Sequence, residues 1–280
     1  MATAPFRSLT CPLDGAPLQQ QDRAWCCPSG HSFDVARQGY VHLLPVQKKR
    51  SLEPGDSKAM VAARQRFLNA GHYQSLAKAL AGLVLAGHPG DRPMACLDAG
   101  CGEGYYLRQL AGTAAPSQPL ALAGLDISKW AVQAAARQDK TPQWIVGSNA
   151  NLPVATESLD GVLCVFGFPV YTEFARVLKP GGRLIRVEAG TGHLRELRET
   201  LYPSLKTPRG RNATAPTGFI QGEVRPLQWR LILEDPAAIA DLLAMTPHYY
   251  RASAEGLSRV ASLQRLDLTL DMRLSTLIRQ

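Results

Sequence analysis

The sequence predicts an α/β chain, a Rossmann-like and mostly parallel seven-stranded sheet preceded by a small N-terminal zinc-ribbon-like module. Three observations predict it. Leu97-Asp98-Ala99-Gly100-Cys101-Gly102-Glu103-Gly104 reads as a buried strand breaking into a glycine-rich turn, and helical spacing resumes over Tyr105 to Ala111. Further short apolar runs follow in the order that such a fold requires, up to Val187. Two Cys- and Gly-bearing turns, at Cys11 and at Cys27, mark the N-terminal module.

Taken in order, Thr10 to Asp34 is punctuated by Cys and Gly and reads as two tight turns joined by a hairpin. Gly39 to Pro45 is an extended connector. Pro54-Gly55-Asp56 is expected to cap a helix with Met60, Ala63, Phe67 and Leu68 on one face, closed by Gly71 and His72. Leu76 to Leu85 is a second helix leading into the core at Cys96. Leu120 to Leu125 is the second core strand, and Ser128 caps the helix after it, which carries Ala131, Ala134, Ala135 and Ala136. Trp144 to Val146, Gly161 to Phe166 and Arg183 to Val187 supply the third, fourth and fifth strands, the last preceded by the turn Lys179-Pro180-Gly181-Gly182. A helix with Leu194, Leu197 and Leu201 follows, then a flexible loop over Thr207 to Thr217, a strand over Val224 to Leu233 and a helix over Pro236 to Met245. Leu266, Leu268, Leu270, Met272 and Leu274 alternate with polar residues, the period of a half-buried antiparallel strand. The expected domains are 1–36, the ribbon; 37–90, linker and helices; and 91–280, the α/β domain.

The glycine turn carries the first functional reading. Its spacing is Gly-Cys-Gly-Glu-Gly, not the dinucleotide pattern, and Asp98 stands just before it. That acid would repel a pyrophosphate and suits the cationic amino-acid moiety of S-adenosylmethionine. Asp126, at the tip of the second strand, is where a ribose diol is hydrogen-bonded in such folds. Asn149, in the loop Asn149-Ala150-Asn151-Leu152-Pro153, is suited to an adenine contact. These markers in sequence predict an S-adenosylmethionine-dependent methyltransferase of class I.

At 280 residues and 45% hydrophobic, the chain has room for one sizeable α/β domain and a small module. No apolar run reaches membrane-span length, and Met1 to Thr10 is too short and polar for a signal peptide. Cys96, Cys101 and Cys164 fall in or beside strands expected to be buried, the usage of a reducing compartment, so cytoplasmic localisation is expected. The net charge of +8, from 31 Lys and Arg against 23 Asp and Glu, calls for an anionic partner. Basic residues gather at Lys48-Lys49-Arg50, at Arg64 and Arg66, and at Lys206, Arg209 and Arg211, with no acid between Glu199 and Glu223. Three such clusters beside a nucleotide-like cofactor favour nucleic acid over a small substrate.

Cys11-Pro12-Leu13-Asp14-Gly15 and Cys27-Pro28-Ser29-Gly30-His31 look like the two knuckles of a zinc site. Asp14 stands where a fourth cysteine is expected, and a carboxylate oxygen can ligate zinc, so Cys11, Asp14, Cys27 and His31 give a closed set. Cys26 is a rival ligand, and a metal-free ribbon packed around Trp25 and Phe33 is the alternative.

The succession Cys-Pro-Leu-x-Gly, Cys-Pro-x-Gly-His-x-Phe-Asp, Gly-Tyr-Val-His-Leu-Leu-Pro-Val-Gln, Gly-His-Tyr and Asp-Ala-Gly-Cys-Gly-Glu-Gly-Tyr-Tyr resembles the ribosomal RNA large-subunit methyltransferase A family, over nearly the whole chain. The resemblance implies transfer of a methyl group to N1 of a hairpin-loop guanine of bacterial 23S rRNA, a 745-type position being favoured over a 748-type one. It implies cofactor contacts at Tyr73, Gly102-Glu103 and His193, beside the motif-derived Asp98, Gly100, Gly104, Asp126 and Asn149, and zinc on Cys11, Cys27 and His31. Val165-Phe166-Gly167-Phe168-Pro169 departs from it, because the proline after the fourth strand comes one residue late. No general base is identified, Glu188 being one acid near the pocket, and a homodimer is left open. A small-molecule methyltransferase and a non-catalytic RNA-binding protein are the competing readings.

Overall fold

In the computed structural model, which describes residues 3–48, 51–90, 92–205 and 214–280, two sheets share one chain. Strands β1 (Gln19–Gln21), β2 (Ala24–Cys26) and β3 (Ser32–Asp34) form the antiparallel ribbon. Trp25 faces Phe33 across it and is buried with Phe6, Leu9 and Leu18. That apolar cluster runs on into Val41, Ile145, Leu152 and Val154. Backbone bonds tie the two parts as well, Thr10 N–H to Pro153 C=O (3.0 Å) and Ala155 N–H to Ser8 C=O (2.9 Å). The ribbon therefore packs on the main sheet and does not hang from a tether.

Among the described residues eight strands build that sheet, in the order β10-β11-β9-β8-β5-β6-β7-β4. They are β4 (Tyr40–His42), β5 (Met94–Ala99), β6 (Leu120–Asp126), β7 (Gln143–Val146), β8 (Leu159–Val165), β9 (Leu178–Ala189), β10 (Phe219–Leu233) and β11 (Leu266–Arg279). All pairings are parallel except those of β11, which runs antiparallel to both β9 and β10. The expected count of seven is thus corrected to eight. The extended connector after the ribbon passes the open edge of β7 and pairs with it, Val41 opposite Ile145, so that the edge amides and carbonyls of β7 are satisfied.

Helices α1 (Lys58–Asn69), α2 (Gln74–Leu85), α3 (Tyr105–Thr113), α4 (Lys129–Gln138), α5 (Tyr171–Val177), α6 (Arg195–Leu201), α7 (Pro236–Ala244) and α8 (Ala254–Ala261) complete the fold. Helix α1 is capped by Ser57, whose hydroxyl accepts the Met60 N–H (3.3 Å), and not by the Pro-Gly-Asp turn before it. Ser128 caps α4 as expected. Cys96, Cys101 and Cys164 are buried, and among the described residues no helix is long and apolar enough to cross a membrane. Lys49, Arg50, Lys206, Arg209 and Arg211 lie outside the described residues, as does much of the loop expected over Thr207 to Thr217. The strand order reverses between β5 and β8, which places the ligand-binding crevice at their C-terminal ends.

Candidate active site and metal centre

The turn after β5 is shaped by three glycines in the left-handed region, Gly100 (φ 98°), Gly102 (φ 56°) and Gly104 (φ 79°). Gly104 also has no room for a side chain, since a Cβ there would run into the Trp144 ring. The turn is held to the neighbouring strand by Gly100 and Cys101 N–H groups donating to Leu125 C=O, at 2.8 and 3.0 Å. Asp126 closes it from the other side. Its Oδ2 accepts the Gly102 N–H (2.9 Å) and its Oδ1 the Ser128 N–H (2.8 Å).

Asp98 lies beneath this turn, 0% exposed, and among the described residues neither carboxylate oxygen has a hydrogen-bond partner. Burial, with Asp126 and Glu103 adding repulsion, pushes its carboxyl up to about 8. Glu103 is equally buried, with Oε1 unpartnered and Oε2 accepting from Arg64 Nε at 2.9 Å. Asn149 donates to Ala99 and Phe168 C=O (3.4 and 3.3 Å) and leaves its own Oδ1 buried without a partner. Buried acceptors without donors are costly in a closed protein. This set asks for a ligand that brings a cation and several donors, and the ammonium, sulfonium, ribose and adenine groups of S-adenosylmethionine fit it.

Around the crevice mouth stands an aromatic wall. Tyr73, at the start of α2, is buried and meets Phe166 and Trp229 edge-on at 6.5 and 6.0 Å. Phe166, just past β8, has φ 53° and stacks on His193 (5.8 Å between centroids, 24°). Burial drives the His193 imidazole down to about 4, so it is neutral, and its Nδ1 accepts the Asp271 N–H (3.3 Å). The ring proton is therefore on Nε2, and His193 is a donor at that atom. Phe168, two residues on, is 89% exposed. Glu188 faces Arg186 at 2.8 Å on β9 and is engaged in that ion pair.

The structure thus brings Tyr73, Asp98, Gly100, Gly102, Glu103, Gly104, Asp126, Asn149 and His193 to one end of the sheet. Trp229 and Arg64 were not foreseen there. Arg64 and Arg66 were expected to form a basic cluster for RNA, and this is corrected: Arg64 binds Glu103 and Asp56, and Arg66 binds Asp241 at 2.5 and 2.8 Å. Glu103 and Asp241 are distant in sequence, so the local charge pattern does not reveal these pairs.

On the ribbon, Cys11, Asp14, Cys27 and His31 converge, their ligand atoms within 4.8 Å of one another. The separations are 3.4 Å from His31 Nδ1 to each Sγ, 3.2 Å from Nδ1 to Asp14 Oδ2 and 3.6 Å from Oδ2 to the Cys27 Sγ. A tetrahedron with ordinary zinc–ligand distances has edges of about 3.5 Å (sulfur–nitrogen), about 3.3 Å (nitrogen–oxygen) and about 3.5 Å (sulfur–oxygen). The four groups fit zinc. Ala16 N–H donates to Asp14 Oδ1 (2.9 Å) and so aims Oδ2 at the cluster, while Gly15 and Gly30 supply the left-handed returns. Cys26 turns away towards Ser32 (3.5 Å).

Comparison with known proteins covers both parts. A family model described as "RlmA, N-terminal" matches residues 9–52, and one described as "Methyltransferase domain" matches 97–186. YxjB of Bacillus subtilis (strain 168), provisionally named a 23S rRNA (guanine-N(1)-)-methyltransferase, is 31% identical over 96% of each chain. The 23S rRNA (guanine(748)-N(1))-methyltransferase of Streptomyces fradiae is 34% identical over 90% of this chain and 89% of its own. A Micromonospora griseorubida protein, also provisionally named a 23S rRNA (guanine-N(1)-)-methyltransferase, is 38% identical over 69% of each.

Proposed function

The chain belongs to the ribosomal RNA large-subunit methyltransferase A family, and we propose from that premise that it transfers a methyl group from S-adenosylmethionine to N1 of a hairpin-loop guanine in 23S rRNA. The observation that carries this reading is the joining of four converging candidate metal ligands to a cofactor-like cradle in one packed unit, with relatives that align across both. A small-molecule methyltransferase needs the cradle alone. The unpartnered acceptors of Asp98, Glu103 and Asn149 speak against an idle scaffold, because only a ligand offsets their burial.

When bound, the cofactor supplies an activated methyl group. In this reading Asp98 would hold its cationic end, Asp126 its ribose and Asn149 its adenine, with Tyr73 and His193 lining the same crevice. Asp126 is already committed to two backbone N–H groups, so its remaining lone pairs serve the diol and its position is fixed in advance. The exposed Phe168 and half-exposed Phe166 offer stacking faces to a guanine swung out of its hairpin. Cys11, Asp14, Cys27 and His31 would hold zinc, and the ribbon would read RNA shape from its place packed on the sheet. The domain limits 1–36, 37–90 and 91–280 and cytoplasmic placement belong to the same proposal. The 745-type guanine favoured by the sequence and the 748 position in the Streptomyces fradiae relative's name are two outcomes of one experiment.

That experiment supplies labelled S-adenosylmethionine with unmodified 23S rRNA or with a small-molecule extract. Label in the rRNA, with a reverse-transcription stop at one hairpin guanine, is expected, since N1 methylation blocks base pairing. Label in the extract alone would favour the small-molecule reading.

A further inference from the structure

Arg64 is a half-buried cation set among the acids of the cradle, and it comes from outside the sheet. It sits on α1, in the connector between ribbon and methyltransferase domain. Its Nε donates to Glu103 (2.9 Å) and its Nη1 to Asp56 (2.5 Å), while Nη2 is buried and without a partner. The guanidinium lies so close over the glycine turn that a Cβ on Gly102 would stand 3.1 Å from it. Glu103, Asp56 and Asp126 together hold Arg64 firmly charged in spite of burial, which acts the other way.

The segment before α1 is fastened to the second cofactor loop. Asp56 C=O accepts the Ser128 hydroxyl (2.7 Å), and Gly55 (φ 86°) packs so tightly that a Cβ would lie 2.8 Å from Ser128 Cβ. Gly55, Asp56 and Arg64 thus bridge the turn after β5 and the loop after β6, the two loops that flank the crevice.

We propose that Arg64 is a positioning residue for the cofactor, acting through Glu103 and the Asp126 loop to hold the glycine turn in the shape that receives the nucleoside. Its function is electrostatic and geometric together. A forked, permanently charged group can engage Glu103 and Asp56 at once and still keep Nη2 free beside the glycine turn, which a lysine cannot. The connector then responds to cofactor occupancy, because the same residue is shared between them.

This inference rests on the reading of the crevice as the S-adenosylmethionine site, and the test separates the two. S-Adenosylhomocysteine binding is measured by titration calorimetry for the full chain and for Arg64→Gln, Arg64→Lys, Glu103→Gln and the Arg64→Gln/Glu103→Gln double variant, with thermal unfolding in parallel. Wild type is expected to bind, Arg64→Gln to bind about tenfold more weakly, and Arg64→Lys to recover part of the loss. The double variant is expected to be little worse than Arg64→Gln alone, since both changes remove one shared interaction. Hydrogen exchange over residues 55–64 should slow on cofactor addition in wild type and not in Arg64→Gln. A wild type that binds no cofactor would sink the cofactor reading and this proposal with it. Binding by Arg64→Gln within twofold of wild type, with only the melting temperature lowered, overturns this proposal alone and makes Arg64 an anchor for α1.

Discussion

Replacing Asp98 with asparagine should stabilise the free protein and abolish its function, and the size of the first effect follows from the crevice. Asp98 is wholly buried, has no hydrogen-bond donor, and faces Asp126 and Glu103, so its carboxyl titrates at about 8 where an ordinary aspartate titrates at 3.8. Below the lower value both folded and unfolded chains hold the proton, and Asp98 contributes nothing to pH dependence. Between the two values the unfolded chain releases the proton and the folded chain keeps it, so stability falls as pH rises through this window. Above about 8 the full cost is present, on the order of 6 kcal/mol from the pKa difference. Asparagine never ionises and removes that slope. Urea unfolding of both proteins across the window, without ligand, measures it; Asp98→Asn should gain most at the alkaline end. Cofactor titration completes the assay. A cationic group beside Asp98 needs the carboxylate, so wild-type binding should tighten as pH rises towards about 8 and release a proton below it. The ligand's own amino group titrates in the same region, so the informative quantity is the difference between wild type and variant with one ligand. Equal pH slopes of stability in the two proteins, or cofactor affinity preserved in Asp98→Asn, would refute the assignment of Asp98 to the cationic end.

Three further outcomes are expected. Asp126→Ala removes the ribose contact and strands the Gly102 and Ser128 N–H groups, so cofactor binding should weaken by roughly 2 kcal/mol and the melting temperature should also fall, while RNA affinity measured on the folded protein is unchanged. Asp14→Cys should raise zinc affinity over wild type and Cys27→Ser should lower it, read by elemental analysis after chelator challenge; no metal in any of the three would leave a packed ribbon. Neutralising Lys48, Lys49, Arg50 and the Lys206–Arg211 tract should flatten the salt dependence of RNA binding by about 0.7 to 0.9 in log–log slope per lost phosphate contact, and an unchanged slope would make them solvated surface.

The cofactor half was legible because its chemistry is local. Asp98, the three glycines and Asp126 sit at strand ends that apolar runs mark plainly, and the turn conformation follows from glycine alone. What escaped was non-local or short. Strand β4 is three residues long and exists only because the connector meets the β7 edge, which no periodicity encodes. Helix α5 has seven residues, too few for a repeating face, and takes its place from Phe174 and Val177 in the core. Helix α8 carries one local signal, Ser253 as an N-cap accepting the Gly256 N–H (3.1 Å). The partner of Arg64 is Glu103, thirty-nine residues away, and that of Arg66 is Asp241, so a basic pair in sequence does not show that both charges are neutralised by acids elsewhere in the chain. At the candidate metal centre the four side chains named from the two knuckles are the ones that converge, while Cys26 turns towards Ser32.

Methylation of a 23S rRNA guanine at N1 is the proposed activity of this chain. Mass mapping of 23S rRNA from cells with the protein, without it, and with only the Asp98→Asn variant tests it most directly. One added methyl on a single hairpin guanine, present with wild type and absent in the other two, is the expected result. Identical modification in all three would contradict the claim.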